Sequence, residues 1–339
     1  MKKRQVVKQN VGIDISKDDF KTCFYHQYED FKQSIKGTRT FKNTLTAFGE
    51  LLKWVEKRRS ADVEVRITLE ATGVYYEQLV HFLKDKTDYH ISVVLPNKSK
   101  SFAKSYNIKT KTDSVDAKVL GRMGLERDLK QWQPLSPNLF IIKQLSRDRI
   151  TLTEEKVALM NRLHALNHSF EPNKSVIKRM IARLKLIKKQ LVQVEAELKK
   201  VVKKDSKLSE RIDKVCQVKG LGFITVATII GETNGFDLFT SRAQVTSYAG
   251  YDVVENQSGS SVRGKERISK KGNRFIRRAL HFPALSARKY EPQFKNLYER
   301  VLERTAIKMK ACVAVQRKLL LLIYTLFTKN IAYDPNYRN

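Results

Sequence analysis

The chain has 339 residues, with 66 Lys and Arg against 35 Asp and Glu, a formal net charge of +31. Its 41% hydrophobic and 30% charged residues allow real cores and exclude a wholly disordered chain, while so large a positive excess is costly self-repulsion without a polyanionic partner. Three scattered cysteines, Cys23, Cys216 and Cys312, lack Cys-x-x-Cys spacing, which excludes a disulfide framework or a zinc ribbon and fits a reducing cytoplasm.

The amino end, MKKRQVVKQN, is basic but has no apolar leader segment, so secretion is not expected. Residues 1–130 read as an α/β unit. Asn10 to Ile15 is a short apolar strand, Phe20 to Tyr25 and Tyr28 to Ile35 read as its hairpin neighbours, and Phe41 to Val55 has helical spacing. Val63, Val65, Ile67 and Leu69 alternate as a strand; a helix from Val74, a strand at His90 to Leu95 and basic helical segments to Arg127 follow. Three strands and then helix-strand-helix-strand-helix is the order of a ribonuclease H-like domain.

Pro134 and Pro137 punctuate the end of that unit, and residues 131–214 are almost wholly helical, broken near Glu171-Pro172-Asn173. Ile177, Met180, Leu184, Ile187, Leu191, Val194, Leu198 and Val201 alternate spacings of three and four. This coiled-coil seam predicts either a hairpin within the chain or a homo-oligomer, a dimer or tetramer. Residues 215–330 read as a third, mainly helical unit ending in an apolar helix, Ala311 to Phe327. Its longest apolar run, Leu319 to Phe327, falls short of the roughly 18 to 20 residues that span a bilayer, so no membrane is expected. Residues 331–339 form a tail expected to fray. Basic residues run through all these segments and are not gathered in one tail, which points to nucleic acid, with charge supplying affinity but not sequence specificity.

Asp14 stands on an apolar strand, Val11-Gly12-Ile13-Asp14-Ile15, where burial is expensive unless a cation meets it. Glu70 ends another apolar strand, and Asp113 and Asp116, three apart near a helix start, share one face. In a ribonuclease H-like sheet the first strand is central and the later one neighbours it, so these four acids are expected to converge. Hard oxygen ligands of that kind hold Mg²⁺ (or Mn²⁺), and paired ions clamp the attacking and leaving oxygens of a phosphodiester. Three of the four also have a plain structural explanation: Asp113 capping its helix, Asp116 pairing with a lysine, Glu70 ending a strand in solvent.

Val218-Lys219-Gly220-Leu221-Gly222 has the spacing of a helix-hairpin-helix turn, with backbone N–H groups of Lys219, Gly220 and Gly222 able to approach phosphate ahead of a helix at Ile224 to Ile230. Arg263, Lys265, Arg267, Lys270, Lys271, Arg274, Arg277 and Arg278 form a second phosphate-binding candidate, opposed by the single acid Glu266. Ahead of them Ser258-Gly259 offers a hydroxyl whose alkoxide a positive field could stabilise for attack on phosphorus, although a Ser-Gly pair alone reads as a loop. His164 and His168 lack the Glu and third ligand of a zinc helix and read as helix-surface residues.

Gly12-Ile13-Asp14-Ile15-Ser16-Lys17, Leu69-Glu70-Ala71-Thr72-Gly73, Lys111-Thr112-Asp113 with Asp116-Ala117, Gly220-Leu221-Gly222, Tyr248-Ala249-Gly250, Ser258-Gly259 and Ile268-Ser269-Lys270-Lys271-Gly272-Asn273 together closely resemble the DEDD insertion-sequence transposases, the insertion-sequence one-ten family, across nearly the whole chain. The resemblance implies a RuvC-like amino-terminal domain, a coiled-coil middle and a carboxy-terminal transposase domain. It implies a recombinase that a structured non-coding RNA, the bridge RNA, guides to donor and target double-stranded DNA in a bacterial or archaeal cytoplasm, beside the nucleoid. By the same resemblance Asp14, Glu70, Asp113 and Asp116 are the metal-binding tetrad and Ser258 is the nucleophile that forms a phosphoserine link to DNA. Relatives usually have proline soon after the Tyr/Val-Gly pair, where this chain reads Gly250-Tyr251-Asp252-Val253-Val254, so Ser260 and Ser261 stand as neighbouring candidates. A RuvC-like structure-specific endonuclease would need no serine, and a non-catalytic nucleic-acid-binding protein would keep its four acids far apart.

Overall fold

The computed structural model describes residues 4–108, 112–134, 136–254, 257–258, 262–263 and 267–335, with backbone alone at 257–258 and 262–263. The chain separates into two compact units, Met1–Pro134 and Leu135–Asn339.

In the first unit, β1 (Val6–Ile15), β2 (Asp19–Tyr28) and β3 (Gln33–Lys42) form an antiparallel meander. After α1 (Leu45–Glu56), β4 (Val65–Glu70) pairs in parallel with β1, and after α2 (Glu77–Lys86), β5 (His90–Val94) pairs in parallel with β4. The sheet order β3-β2-β1-β4-β5 is the ribonuclease H-like order that the sequence predicts. Alternation along β1 splits its residues between two layers. Val11, Ile13 and Ile15 join Phe48 and Leu51 of α1 and Leu79 and Leu83 of α2 in one core. Asn10, Gly12 and Asp14 face the other way, toward α4 (Asp113–Glu126), which follows α3 (Pro96–Ser105).

Close approach governs that second layer. A Cβ on Gly12 would lie 2.0 Å from the Gly121 nitrogen and 2.1 Å from the Ala117 oxygen, so α4 rests directly on the strand. Buried Asn10 donates from Nδ2 to the Gly121 carbonyl at 2.7 Å and accepts from Thr68 Oγ1 at 3.1 Å, clipping helix, β1 and β4 together. With the Gly124 end of α4 over Asn10 and Ala117 over Gly12, the helix runs antiparallel to β1 and its first turn lies toward Asp14.

The third strand begins later than the expected Tyr28 to Ile35. Residues 29–32 close a turn in which Phe31 takes φ 59° and the Tyr28 N–H bonds the Lys32 carbonyl at 3.0 Å. Phe41, expected to open a helix, instead ends β3 and stacks on Phe20 at 5.4 Å; the helix starts after Thr44, whose hydroxyl accepts from the Ala47 N–H.

The second unit begins with an antiparallel hairpin of α5 (Pro137–Asn167) and α6 (Lys174–Lys203), tied by Arg149 to Glu195 at 2.6 Å. Of the predicted seam, Met180, Val194, Leu198 and Val201 are buried and Ile177, Leu184, Ile187 and Leu191 half-buried, so the stripe packs in part on its own neighbour. The hairpin's base shares one core with α7 (Ser206–Cys216), α8 (Phe223–Thr233), α9 (Arg242–Ala249), α10 (Arg274–Ala279), α11 (His281–Tyr290), α12 (Pro292–Thr305) and α13 (Lys308–Lys329). Among the described residues α13 alone is long and apolar enough to cross a membrane, yet half of its apolar window is buried and Val315, Leu319 and Ile323 are fully enclosed by this core. Tyr333, in the tail expected to fray, is held: its hydroxyl donates to Glu291 Oε2 at 2.9 Å and accepts from Gln293 Nε2 at 2.7 Å.

Candidate active site and nucleic-acid interface

Ile13 and Leu69 are paired in the parallel register of β1 and β4, so Asp14 and Glu70 occupy the next position on neighbouring strands. Both are half-buried. Asp113 and Asp116 occupy the first turn of α4, where the helix dipole favours carboxylates. Thr112, not Asp113, is the cap: its side chain accepts from the Val115 N–H. Glu70 is oriented by the buried Ser99 hydroxyl at one oxygen and by Thr72 Oγ1 at 3.4 Å from the other.

Lys21 stands opposite Asp14 across the β1–β2 ladder and reaches Asp113 Oδ2 at 3.0 Å. That hydrogen bond, helped by the fields of Asp113, Asp19 and Asp14, holds its ammonium pKa above the ordinary value of 10.5. The sequence expectation of a closed metal cluster is therefore not met as stated: among the described residues no three His, Cys, Asp or Glu side chains are grouped closely enough to hold a metal ion. The Lys21 ammonium stands beside Asp113, whose side chain is 66% exposed, and the donors at the carboxyl ends of β1 and β4 and the start of α4 are oxygen alone. In donor chemistry, though not in closeness, the set suits a hard divalent cation.

In the second unit, two separate short ladders are nested in the order of the chain, together termed the ribbon: β6 (Val253–Val254) pairs with β9 (Arg267–Ile268), and β7 (Gln257–Ser258) with β8 (Val262–Arg263). Ser258 thus sits on the inner ladder, opposite Val262. The side chains of Ser258 and Arg263, and residues Lys265, Ser260 and Ser261, lie outside the described residues. Arg267, Lys270, Lys271 and Arg274 are exposed. Arg277 and Arg278 are committed to the fold: Arg277 Nη1 donates to the Ala249 carbonyl at 2.8 Å, and Arg278 pairs with Glu154 of α5.

The Lys219–Gly222 turn is only half open. Gly220 has φ +98° and a Cβ there would meet the Ala287 nitrogen at 2.9 Å, while the Lys219 N–H is taken by Glu291 Oε1 at 3.3 Å. Gly222, exposed ahead of α8, has nothing within 4 Å of its Cβ position. Sequence reasoning passed over Lys21, Ser99 and Glu232. Only Lys21 had a signal, since a tight turn at Ser16 to Asp19 sets it opposite Asp14.

Carboxylates ending two neighbouring parallel strands of a ribonuclease H-like sheet, on a chain of net charge +31, define a protein that processes nucleic acid. A DEDD-type IS110 transposase model matches residues 11–171, and the model "Transposase IS116/IS110/IS902 family" matches residues 212–299. The pilin gene-inverting proteins of Moraxella bovis and Moraxella lacunata are each 26% identical over 332 residues, covering 96% of this chain and 98% of their own. T. thermophilus RuvC in complex with a Holliday junction overlaps 33% of this chain and 90% of its own at TM-score 0.27 and 8% identity, too slight a likeness to bear on the fold. The chain belongs to the IS110 family of insertion-sequence transposases, enzymes that cut and rejoin DNA strands.

Proposed function

We propose that the chain is a bridge-RNA-guided recombinase in which Asp14, Glu70, Asp113 and Asp116 hold Mg²⁺ (or Mn²⁺) and Ser258 is the nucleophile. The observation that carries this reading is the pair Asp14 and Glu70 on adjacent strand ends, with the first turn of α4 brought toward them by the Gly12 contact. When bound, the ions would neutralise and orient the phosphodiester. Ser99 and Thr72 orient the Glu70 carboxylate, and Asp113, now paired with Lys21, would be free to ligate a cation once that pair opened.

At the ribbon, the Ser258 hydroxyl loses its proton as its oxygen bonds phosphorus, one sugar oxygen–phosphorus bond breaks, and the released sugar oxygen takes a proton. Each bond formed replaces one broken, so a new strand's hydroxyl reverses the step without an external cofactor. The gene-inverting activity named for the Moraxella relatives supports rejoining over simple cutting. Gly222, Arg263, Lys265, Arg267, Lys270, Lys271 and Arg274 bind the phosphates of guide RNA and of donor and target DNA. The half-buried residues of α6 pair subunits into a dimer or tetramer, in the cytoplasm where the nucleoid lies.

The test incubates the protein with RNA transcribed from the flanking element ends, labelled DNA and Mg²⁺, and maps any protein–DNA adduct by mass spectrometry. Ser258→Ala should lose adduct and cleavage, and Asp14→Ala should lower cleavage roughly 10²- to 10³-fold, with binding retained in both. An adduct on Ser260 or Ser261 moves the nucleophile. Cleavage without an adduct makes the chain a RuvC-like structure-specific endonuclease.

A further inference from the structure

Glu232 near the end of α8 has a side chain with 0% exposure, an expensive place for a carboxylate. Three elements converge on it. Arg147 of α5 donates from Nε at 2.6 Å and from Nη2 at 2.9 Å to its two oxygens, and Asn273, ahead of α10, donates from Nδ2 at 2.6 Å. The Tyr248 hydroxyl of α9 donates to the Glu232 carbonyl at 2.9 Å. The Arg147 guanidinium also lies over the Phe275 ring at 4.4 Å.

These contacts sit at the base of the serine ribbon. The Asn273 N–H bonds the Tyr248 carbonyl at 2.7 Å, and the Ser269 N–H and hydroxyl bond Asp252 at 2.8 and 2.7 Å. Gly272 lies so close to the other arm that a Cβ would come within 2.4 Å of the Tyr248 oxygen. Both arms of the ribbon are therefore stitched to each other, and Asn273, whose Oδ1 also caps α10, ties the stitch to Glu232. On the far side Arg147 ties Glu232 to α5, which lies against α8 tightly enough that a Cβ on Gly231 would meet the Lys143 nitrogen at 3.0 Å.

Apolar side chains of similar volume would fill this space without the cost of desolvating ions, but they would not fix one orientation. A bidentate guanidinium fork and a capping amide do. We propose that Glu232 is a positioning residue for strand transfer: with Arg147 and Asn273 it locks the base of the Ser258 ribbon to the root of the α5–α6 hairpin. This rests on the reading of Ser258 as nucleophile.

Asn273→Asp keeps the helix cap but sets a second carboxylate against Glu232, and Glu232→Gln removes the charge. Joined in one protein, the two substitutions reverse donor and acceptor between positions 232 and 273 but leave Arg147 short of an acceptor, because its Nη2 and the Asn273 amide both donate to Glu232 Oε2. Each single variant should slow adduct formation at saturating DNA about tenfold or more while DNA affinity changes less than about threefold, and the double variant should be clearly less impaired than the product of the two single effects. Hydrogen exchange on the full chain should rise in residues 248–273 of the singles, stay unchanged in α13, and rise in the double by less than the sum of the singles. Unimpaired singles, single effects that simply multiply in the double, or exchange rising equally in α13 would overturn the proposal. If wild type cleaves without a serine adduct, the nucleophile reading fails; cleavage rate and ribbon exchange in the same variants then decide the positioning role, and unchanged values overturn it as well.

Discussion

Lys21 places its ammonium against Asp113 and within the fields of Asp19 and Asp14, so a positive charge already stands among the acids of this end of the sheet. Because its pKa is raised above the unfolded value of 10.5, the pair stabilises the fold below that pH and is lost as pH rises through the higher folded value. The same ammonium competes with any divalent cation for Asp113. Lys21→Met should therefore tighten Mg²⁺ binding roughly two- to five-fold by isothermal titration calorimetry, the scale of one exposed ion pair. Unchanged or weaker binding would mean that Lys21 does not stand in the cation's way. At this scale the sequence was half legible. Asp14 and Glu70 announced themselves as acids on apolar strands, whereas Glu232 did not, because its partners Arg147 and Asn273 are far from it along the chain.

The position of α4 is set by what β1 lacks. Gly12, Gly121 and Gly124 let helix and strand touch, and this contact carries Asp113 and Asp116 toward the carboxyl end of β1. Gly12→Ala puts a methyl group into the α4 backbone, which cannot rotate aside as a side chain would. It should cost about 1–3 kcal/mol or more by urea denaturation and weaken Mg²⁺ binding with it, because the first turn of α4 is pushed away from that strand end. A variant as stable as wild type would show that α4 shifts freely. Alternation and helical spacing made β1, β4, β5 and α6 legible, since each buries one regular face. The third strand was misplaced because its start depends on the turn around Phe31, and the hairpin of α5 and α6 could not be told from a subunit contact because either partner covers the same stripe.

For the molecule as a whole, a net charge of +31 sets how binding responds to salt more than which sequence is bound. Not every basic residue contributes. Arg277 holds the Ala249 carbonyl and Arg278 pairs with Glu154, so they serve the fold, while Lys270 and Lys271 stand exposed beside the ribbon. Each phosphate neutralised on duplex DNA contributes about −0.9 to the slope of log affinity against log salt. Lys270→Gln with Lys271→Gln should therefore make that slope shallower by about 1.8 with the melting temperature unchanged. Arg277→Gln should instead lower the melting temperature and leave the slope nearly as it was, because its charge is spent on a backbone carbonyl. Fluorescence anisotropy titrations with labelled duplex at several salt concentrations measure both. A wild-type affinity that stays flat between roughly 50 and 200 mM salt would mean that these residues form no phosphate-binding surface. Equal slope changes in the lysine and arginine variants would show that Arg277 meets phosphate as the exposed lysines do.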